Sequence, residues 1–313
     1  YIISVMCLRH FCIAIPVYVS FKKESSIIKH RITEENTIGK IQFTERKTTT
    51  KNSDPVRRKT SAEVTFPANN PYAVNAGRIK QFLTDLLFPR RCPVCGGIVL
   101  PKGELICPGC VKKLSFVKQP VCKKCGKEIT SAEREYCLDC TKHKRSFDYG
   151  RALLNYNDTA KKSMADIKYR NRREYLDFYA EAVCLRYGKL LMRLGADALV
   201  PVPVHPSRRR QRGFNQAEIF ADRIGARLGI PVCPEMLVRR KKTAPQKQLN
   251  PKERLHNLEE AFAAGAVPEG VTRVILVDDI YTTGSTMEAC ARALLRAGVK
   301  NVYFIAICIG RGQ

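Results

Sequence analysis

From residue 149 onward, short apolar runs rich in Val, Ile, Leu and Ala alternate with longer amphipathic stretches. Residues 149–156, 198–204 and 273–277 have the length and β-branched content of buried strands. Between them, apolar positions at helical spacing predict a helix from about Asp158 and a longer one with Leu176, Tyr179, Val183, Leu190 and Leu191 on or near one face. Two more helices follow, one ending at Leu228 and an Ala/Leu-rich one over 285–297. Strands that alternate with helices predict a largely parallel sheet with flanking helices, an α/β domain over residues 148–313.

The preceding residues break this pattern. Residues 1–21 are apolar but carry Arg9, His10 and Pro16 inside the run, so they lack the roughly twenty uninterrupted apolar residues of a stable membrane span. The internal charge and the want of a small-residue cleavage pattern also argue against a signal peptide. A Lys/Thr/Ser/Asn-rich tract follows, and residues 1–77 read as a disordered or non-native extension. From Arg78, the spacing of Ile79, Phe82, Leu83, Leu86 and Leu87 predicts a short amphipathic helix running into Pro89 and opening a small second domain, residues 78–147.

That domain is organised by cysteine. Cys92 and Cys95, Cys107 and Cys110, Cys122 and Cys125, and Cys137 and Cys140 form four C-x₂-C knuckles that begin at intervals of fifteen residues. Each knuckle can aim two thiolates at one tetrahedral ion, and Gly96 and Gly126 follow where such a turn favours a residue without Cβ. The count gives two structural Zn²⁺ ions with no open coordination position. Sequential pairing, Cys92/Cys95/Cys107/Cys110 and Cys122/Cys125/Cys137/Cys140, closes the shorter loops; interleaved pairing is the alternative. A disulfide scaffold would need an oxidising compartment, which nothing else in the sequence suggests. The metal would stabilise a segment of about fifty residues that has too few apolar side chains to fold alone.

The chain carries a formal charge of +26, distributed as +8 over residues 1–80, +7 over 81–147 and +11 over 148–313. Such a field favours polyanions without choosing among them. A more specific signal is the string from Val274 to Thr286, in which an apolar run meets Asp278 and Asp279 and then a turn containing Thr282, Thr283, Gly284, Ser285 and Thr286. A strand–turn–helix unit of this kind converges backbone N–H groups, hydroxyls and the positive helix end on one spot suited to phosphate. The two carboxylates at the strand end can accept from vicinal hydroxyls or face Mg²⁺. Arg208, Arg209, Arg210 and Arg212 follow another strand on a loop stiffened by Pro201, Pro203 and Pro206, where guanidinium groups could grip a diphosphate. Lys168, at an earlier strand–helix crossing, is a similar candidate, and the role of His205 is left open.

The Val274–Thr286 string resembles the phosphoribosyl-diphosphate (PRPP) signature of type I phosphoribosyltransferases. The resemblance implies that the acidic pair contacts the ribose hydroxyls and the following loop holds the 5′-phosphate. Four other stretches narrow the likeness to the ComF/GntX group of phosphoribosyltransferase-like proteins: Leu87-Phe-Pro before the knuckles, Lys168-Tyr169-Arg170, Val202 through Gln216, and the Gln246, Leu249, Arg254, Asn257 pattern before Ala261-Phe262. They span roughly residues 79–310, with Asn171 standing where Gly is expected. The resemblance implies a double zinc ribbon, with four cysteines to each ion, followed by a type I phosphoribosyltransferase fold, and a link to handling incoming single-stranded DNA. It also implies that the polar segment 239–257, containing Gln246, Arg254 and Asn257, is a flap that closes over substrate; a basic DNA-binding arm at Arg239-Arg240-Lys241-Lys242 is the alternative.

Two functions follow from this reading. In one, an accessory protein of DNA uptake binds PRPP, with Mg²⁺, and single-stranded DNA, alongside other DNA-uptake proteins. In the other, a phosphoribosyltransferase of nucleotide salvage displaces diphosphate from PRPP, with Lys168 and the arginine group stabilising the leaving diphosphate. No nucleobase pocket is recognisable in the sequence. Zinc thiolates and a PRPP site both point to a reducing, nucleotide-rich cytoplasm.

Overall fold

A computed structural model of the chain describes residues 89–131, 133–240 and 260–310. The tract 1–77, the helix expected over 79–87, and Gln246, Arg254 and Asn257 lie outside the described residues. In chain order the elements are α1 (Pro108–Val111), α2 (Leu138–Lys142), β1 (Gly150–Asn155), α3 (Asp158–Tyr169), α4 (Tyr175–Arg193), β2 (Ala198–Pro201), α5 (Pro206–Arg212) and α6 (Gln216–Leu228). They continue with β3 (Leu237–Arg239), β4 (Phe262–Ala264), β5 (Arg273–Tyr281), α7 (Ser285–Arg296) and β6 (Asn301–Ile309).

Four strands form a parallel sheet in the order β1-β6-β5-β2, as the alternation of strands and helices predicts. Successive side chains on a strand face opposite sides. Thus Ile275 and Val277 of β5 join one core with Leu153, Leu199, Ile305 and Ile307, while Val274 and Leu276 join another with Ala152, Val200 and Ala306. The first core is closed by α4 and α6, whose buried residues recur at helical spacing (Ala217, Phe220, Ala221 and Ile224 on α6). The second is closed by α7 through Met287, Cys290, Ala291 and Leu294.

The cysteine module is divided between these two faces. Cys92, Val99, Ile106 and Cys110 are buried in the first core, whereas Cys122, Cys125 and Cys137 are buried in the second. The linker between the two halves explains the split. Phe116 pairs antiparallel with Leu154, the Val117 N–H donates to the Leu153 carbonyl (3.1 Å) and the Asn155 N–H donates to the Ser115 carbonyl (2.7 Å). The linker therefore runs along the edge of β1, covering it and sending one half of the module to each side of the sheet.

Local details differ from the sequence-based boundaries for identifiable reasons. β2 ends at Pro201, three residues short of the expected 204: Val202 still donates to the Val277 carbonyl (2.9 Å), but Pro203 has no N–H to offer. β5 runs through both acids to Tyr281, because its pairing with β6 continues at Asp278 with Ala306, Ile280 with Cys308 and Tyr281 with Ile309. The arginine string, which its prolines mark as a constrained loop, forms helix α5 instead. Pro206 occupies its first turn, where a missing N–H costs nothing, and the His205 Nδ1 accepts from the Ser207 N–H (3.1 Å) as the N-cap. Gly213, at φ 79°, ends the helix. Lys168 lies in the last turn of α3. Among the described residues no helix is long and apolar enough to cross a membrane.

Asn171 has φ 55°, which accounts for the Gly expected there: the backbone requires the left-handed region, which Asn tolerates. Its Oδ1 accepts from the Arg173 Nε (2.6 Å). Replacing Asn171 with Gly should leave the urea midpoint essentially unchanged, while Asn171→Val should cost about 1–2 kcal/mol, measured by equilibrium unfolding.

Candidate functional site

The site is assembled at the carboxyl end of β5. Asp278 is half-buried and Asp279 is buried, and the two acids have different environments despite being adjacent. Asp279 forms an ion pair with Lys168, whose side chain is also largely buried, and its Oδ1 accepts from Gln216 Nε2 (3.2 Å). Burial opposes ionisation of Asp279, but the Lys168 ammonium outweighs it and holds the carboxyl below its ordinary value. The same pair raises Lys168 against the effect of its burial. For Asp278, burial and then the neighbouring Asp279 charge push the carboxyl well above the carboxylate range. Asp278 Oδ1 accepts from the Asp279 N–H (2.8 Å). Asp279 is thus a fixed anion committed to Lys168, whereas Asp278 is the acid with unmet demand for a cation or a hydroxyl donor.

The next turn leads into α7. Gly284 stands at φ 79° as its N-cap, and a Cβ there would meet the Tyr281 Oη at 2.2 Å. No side chain caps the first-turn amides of α7. Thr282 and Thr283 are exposed, Ser285 and Thr286 are half-buried, and the Thr283 and Ser285 hydroxyls are 3.0 Å apart. Free amides, small hydroxyls and a glycine at a helix N-terminus are chemically able to accept an anion such as phosphate.

The four arginines of α5 do not converge. Arg209 pairs with Glu218 (3.2 Å), and Arg212 donates to the Gln216 Oε1 (3.2 Å) with its guanidinium over the Tyr169 ring (5.2 Å). Arg209 and Arg210 line an open cavity of about 590 Å³ with Pro201, Pro203, Leu237 and Arg239. Neither acid nor the 282–286 turn lines this cavity; its Pro201 pairs with Val277, the residue before Asp278. Arg208, one step round the helix, is exposed and not among its lining.

The string Gly213-Phe-Asn-Gln216 connects α5 to the acids. Phe214 lies beneath the Arg173 guanidinium (4.3 Å). Asn215 is buried, caps α6 by accepting from the Ala217 N–H (3.1 Å), and donates to the Val202 carbonyl (3.1 Å). This fixes Gln216 opposite Asp279. Gln216 closes one of the stretches that carry the family resemblance, but no sequence signal assigns it a role of its own. Arg145, Ser146 and Glu288, which bond around the phosphate turn, have no local sequence signal.

The eight cysteines form two groups in sequential pairing. In each group all four Sγ atoms lie within 4.8 Å of one another. The knuckles repeat: Gly96 N–H donates to the Cys92 carbonyl and Gly126 N–H to the Cys122 carbonyl (both 2.9 Å), with φ 75° and 77° at the glycines. The bridge of Arg91 with Ile98 recurs as Val121 with Glu128, thirty residues on. Without a metal these thiols are held protonated, because gathering thiolates at one point is unfavourable. Burial and the neighbouring Cys92 push Cys107 up to about 11, and burial together with Cys95 and Cys92 pushes Cys110 up to about 12. A divalent cation removes that conflict, and four thiolates in this arrangement fit Zn²⁺.

The fold and its two kinds of site define a phosphoribosyltransferase-like protein carrying a double zinc ribbon. Residues 83–141 match the family described as double zinc ribbon domain, and residues 215–313 match the phosphoribosyl transferase domain. The chain is 35% identical over 108 residues to Competence protein F of Haemophilus influenzae, an alignment covering 34% of this chain and 47% of that protein. It is 32% identical over 153 residues to Competence protein ComFC of Bacillus subtilis (47% and 58% covered) and 34% identical over 112 residues to DNA utilization protein YhgH of Escherichia coli (36% and 49% covered). The chain spans about half the length of the curated relatives it matches. The double zinc ribbon followed by a phosphoribosyl transferase domain, read from the motifs, is thus borne out.

The two acids should respond oppositely to neutralisation. The raised Asp278 contributes stability only below the ordinary carboxylate range and loses it as pH climbs through its folded value. Asp279, held low, contributes stability above that range and loses it as pH falls. At pH 7 Asp278→Asn should raise the thermal midpoint by a few degrees, whereas Asp279→Asn should cost about 3 kcal/mol by leaving Lys168 buried and unpaired. Calorimetric unfolding of the parent and both variants from about pH 3 to pH 8 measures the difference.

Proposed function

We propose that this chain is an accessory protein of DNA uptake that binds Mg²⁺-PRPP at the β5–α7 turn and single-stranded DNA through its basic surface. The observation that carries the reading is the asymmetry of the acid pair. Lys168 neutralises Asp279 from within, which leaves Asp278 to meet a ribose diol or Mg²⁺ directly before a turn of exposed amides and hydroxyls. Thr282, Thr283, Gly284, Ser285 and Thr286 take the 5′-phosphate, and Asp278 takes the ribose side. Mg²⁺ would neutralise charge on the bound diphosphate. The relatives named as competence and DNA utilization proteins support the cellular role. A net charge of +26 supports an anionic polymer as partner, and the reducing cytoplasm suits both thiolate zinc and PRPP.

A second reading rests on the open cavity of about 590 Å³ lined by Pro201, Arg209, Arg210 and Arg239. It offers room for a nitrogen nucleophile that would attack the ribose anomeric carbon as the C–O bond to diphosphate breaks, the electron pair leaving with diphosphate. Positioning and charge neutralisation, with Arg209 and Arg210 near the departing group, would supply the catalysis.

Titrating Mg²⁺-PRPP calorimetrically into the zinc-loaded full chain should give micromolar binding that the Asp278→Asn/Asp279→Asn double variant loses; a flat titration with the parent protein would defeat the ligand assignment. Binding to a fluorescent oligo-dT should weaken by at least tenfold between 50 and 200 mM salt, and indifference to salt would remove the single-strand proposal. Diphosphate release on incubation with PRPP and a panel of nucleobases would favour the transferase reading over the accessory one.

A further inference from the structure

The segment between the second zinc ribbon and β1 passes close to the phosphate turn. Arg145 lies five residues beyond Cys140, and its Nη2 donates to the Thr283 carbonyl (2.7 Å). The next residue, Ser146, donates from its N–H (2.8 Å) and its Oγ (2.7 Å) to the two carboxylate oxygens of Glu288. Glu288 is on the first turn of α7, is 1% exposed, and accepts in addition from the Arg292 Nε (2.6 Å). Two consecutive linker residues therefore hold both ends of the turn, at Thr283 before Gly284 and at Glu288 after Thr286.

The same linker is fixed to the second ribbon and to the floor of the turn. Phe147, fully buried, packs edge-on against Tyr281 (6.4 Å) and Phe304 (5.1 Å). Tyr281 underlies Gly284, and the ammonium of Lys127 stands 5.9 Å from its ring centre. Lys127 is itself buried two residues after Cys125 and ion-paired with Asp139, which lies between Cys137 and Cys140.

Resting on the PRPP reading of this turn, we propose that Arg145 is a positioning residue for the 5′-phosphate, acting through the Thr283–Gly284 peptide. A trans peptide is planar, with its C=O and N–H on opposite sides. When the guanidinium draws the Thr283 carbonyl toward the linker, the Gly284 N–H is turned the other way, out of competition with Arg145. Gly284 is the residue with the least intrinsic resistance to rotating that plane, so an external hold is most effective there. Ser146 holds the other end of the turn through the side-chain carboxylate of Glu288. The second ribbon thereby becomes the anchor of the ligand loop, and its role in the protein extends past keeping its own segment folded.

The test uses the full-length zinc-loaded chain and compares Arg145→Ala with Arg145→Gln, the latter keeping an N–H donor of shorter reach without the charge. Amide hydrogen exchange of the peptide covering 281–288 should quicken about tenfold in Arg145→Ala and recover substantially in Arg145→Gln, while zinc content and the thermal midpoint stay at the parent values. The Kd for Mg²⁺-PRPP should follow the same order, with a salt dependence unchanged from the parent. Exchange of this peptide at the parent rate in Arg145→Ala overturns the proposal. So does a Gln variant as weak as Ala accompanied by a reduced salt slope, because the charge would then act on the ligand directly. If the parent fails to bind PRPP, the ligand reading falls, and the exchange comparison still decides whether Arg145 orders the turn.

Discussion

The ion pair between Lys168 and Asp279 is the contact on which the arrangement of the site depends. It joins the last turn of α3 to the carboxyl end of β5, and Gln216 adds the start of α6 to the same carboxylate. Two adjacent carboxylates at the end of a central strand would repel each other and resist burial. With one of them neutralised internally, both can remain in a strand paired to β6 rather than splaying into solvent. The outcome is a division of labour between neighbours of identical chemistry: one is part of the scaffold and the other is directed at what lies outside it.

A second constraint is the burial of a cysteine module that has little core of its own. Its halves do not pack only against each other. The linker 115–117 lies along β1 and distributes them to the two faces of the sheet, so each borrows apolar surface from a different helical layer. The first half is also tied down by Arg90, which bonds to Asp177 of α4 (2.9 Å). The second half is continuous with the aromatic group of Phe147, Tyr281 and Phe304 beneath the phosphate turn. Sheet and ribbons are thereby parts of one hydrophobic structure, although the sequence places them in separate blocks.

Much of this was legible along the chain. The parallel sheet followed from the alternation of apolar runs and amphipathic stretches, and the four knuckles from their spacing, because both are encoded by local periodicity; the choice of sequential over interleaved pairing came from the structure. Most of the assignments that local reading missed depend on distant partners; the end of β2 is the exception, because Pro203 stands in the sequence itself. The expected length of β2 did not allow for the donor missing at Pro203, and the end of β5 could not be found without β6 to pair it. The arginine cluster looked like one unit, yet a helix turns each residue by a fixed step, and its members point to different neighbours. Arg145 and Thr283 are 138 residues apart, and no window of sequence contains both.

The two ribbons have the same ligand set and spacing but not the same access to water. In the first, Cys95 is exposed, Cys107 is half-buried and Cys92 and Cys110 are buried; in the second, Cys140 is half-buried and Cys122, Cys125 and Cys137 are buried. Ion release and thiol oxidation both begin with whichever sulfur an incoming ligand or oxidant can reach. The duplicated unit therefore presents two centres of equal composition and unequal exposure, and a chelator or oxidant arriving from solvent finds its most open approach at Cys95 of the first ribbon.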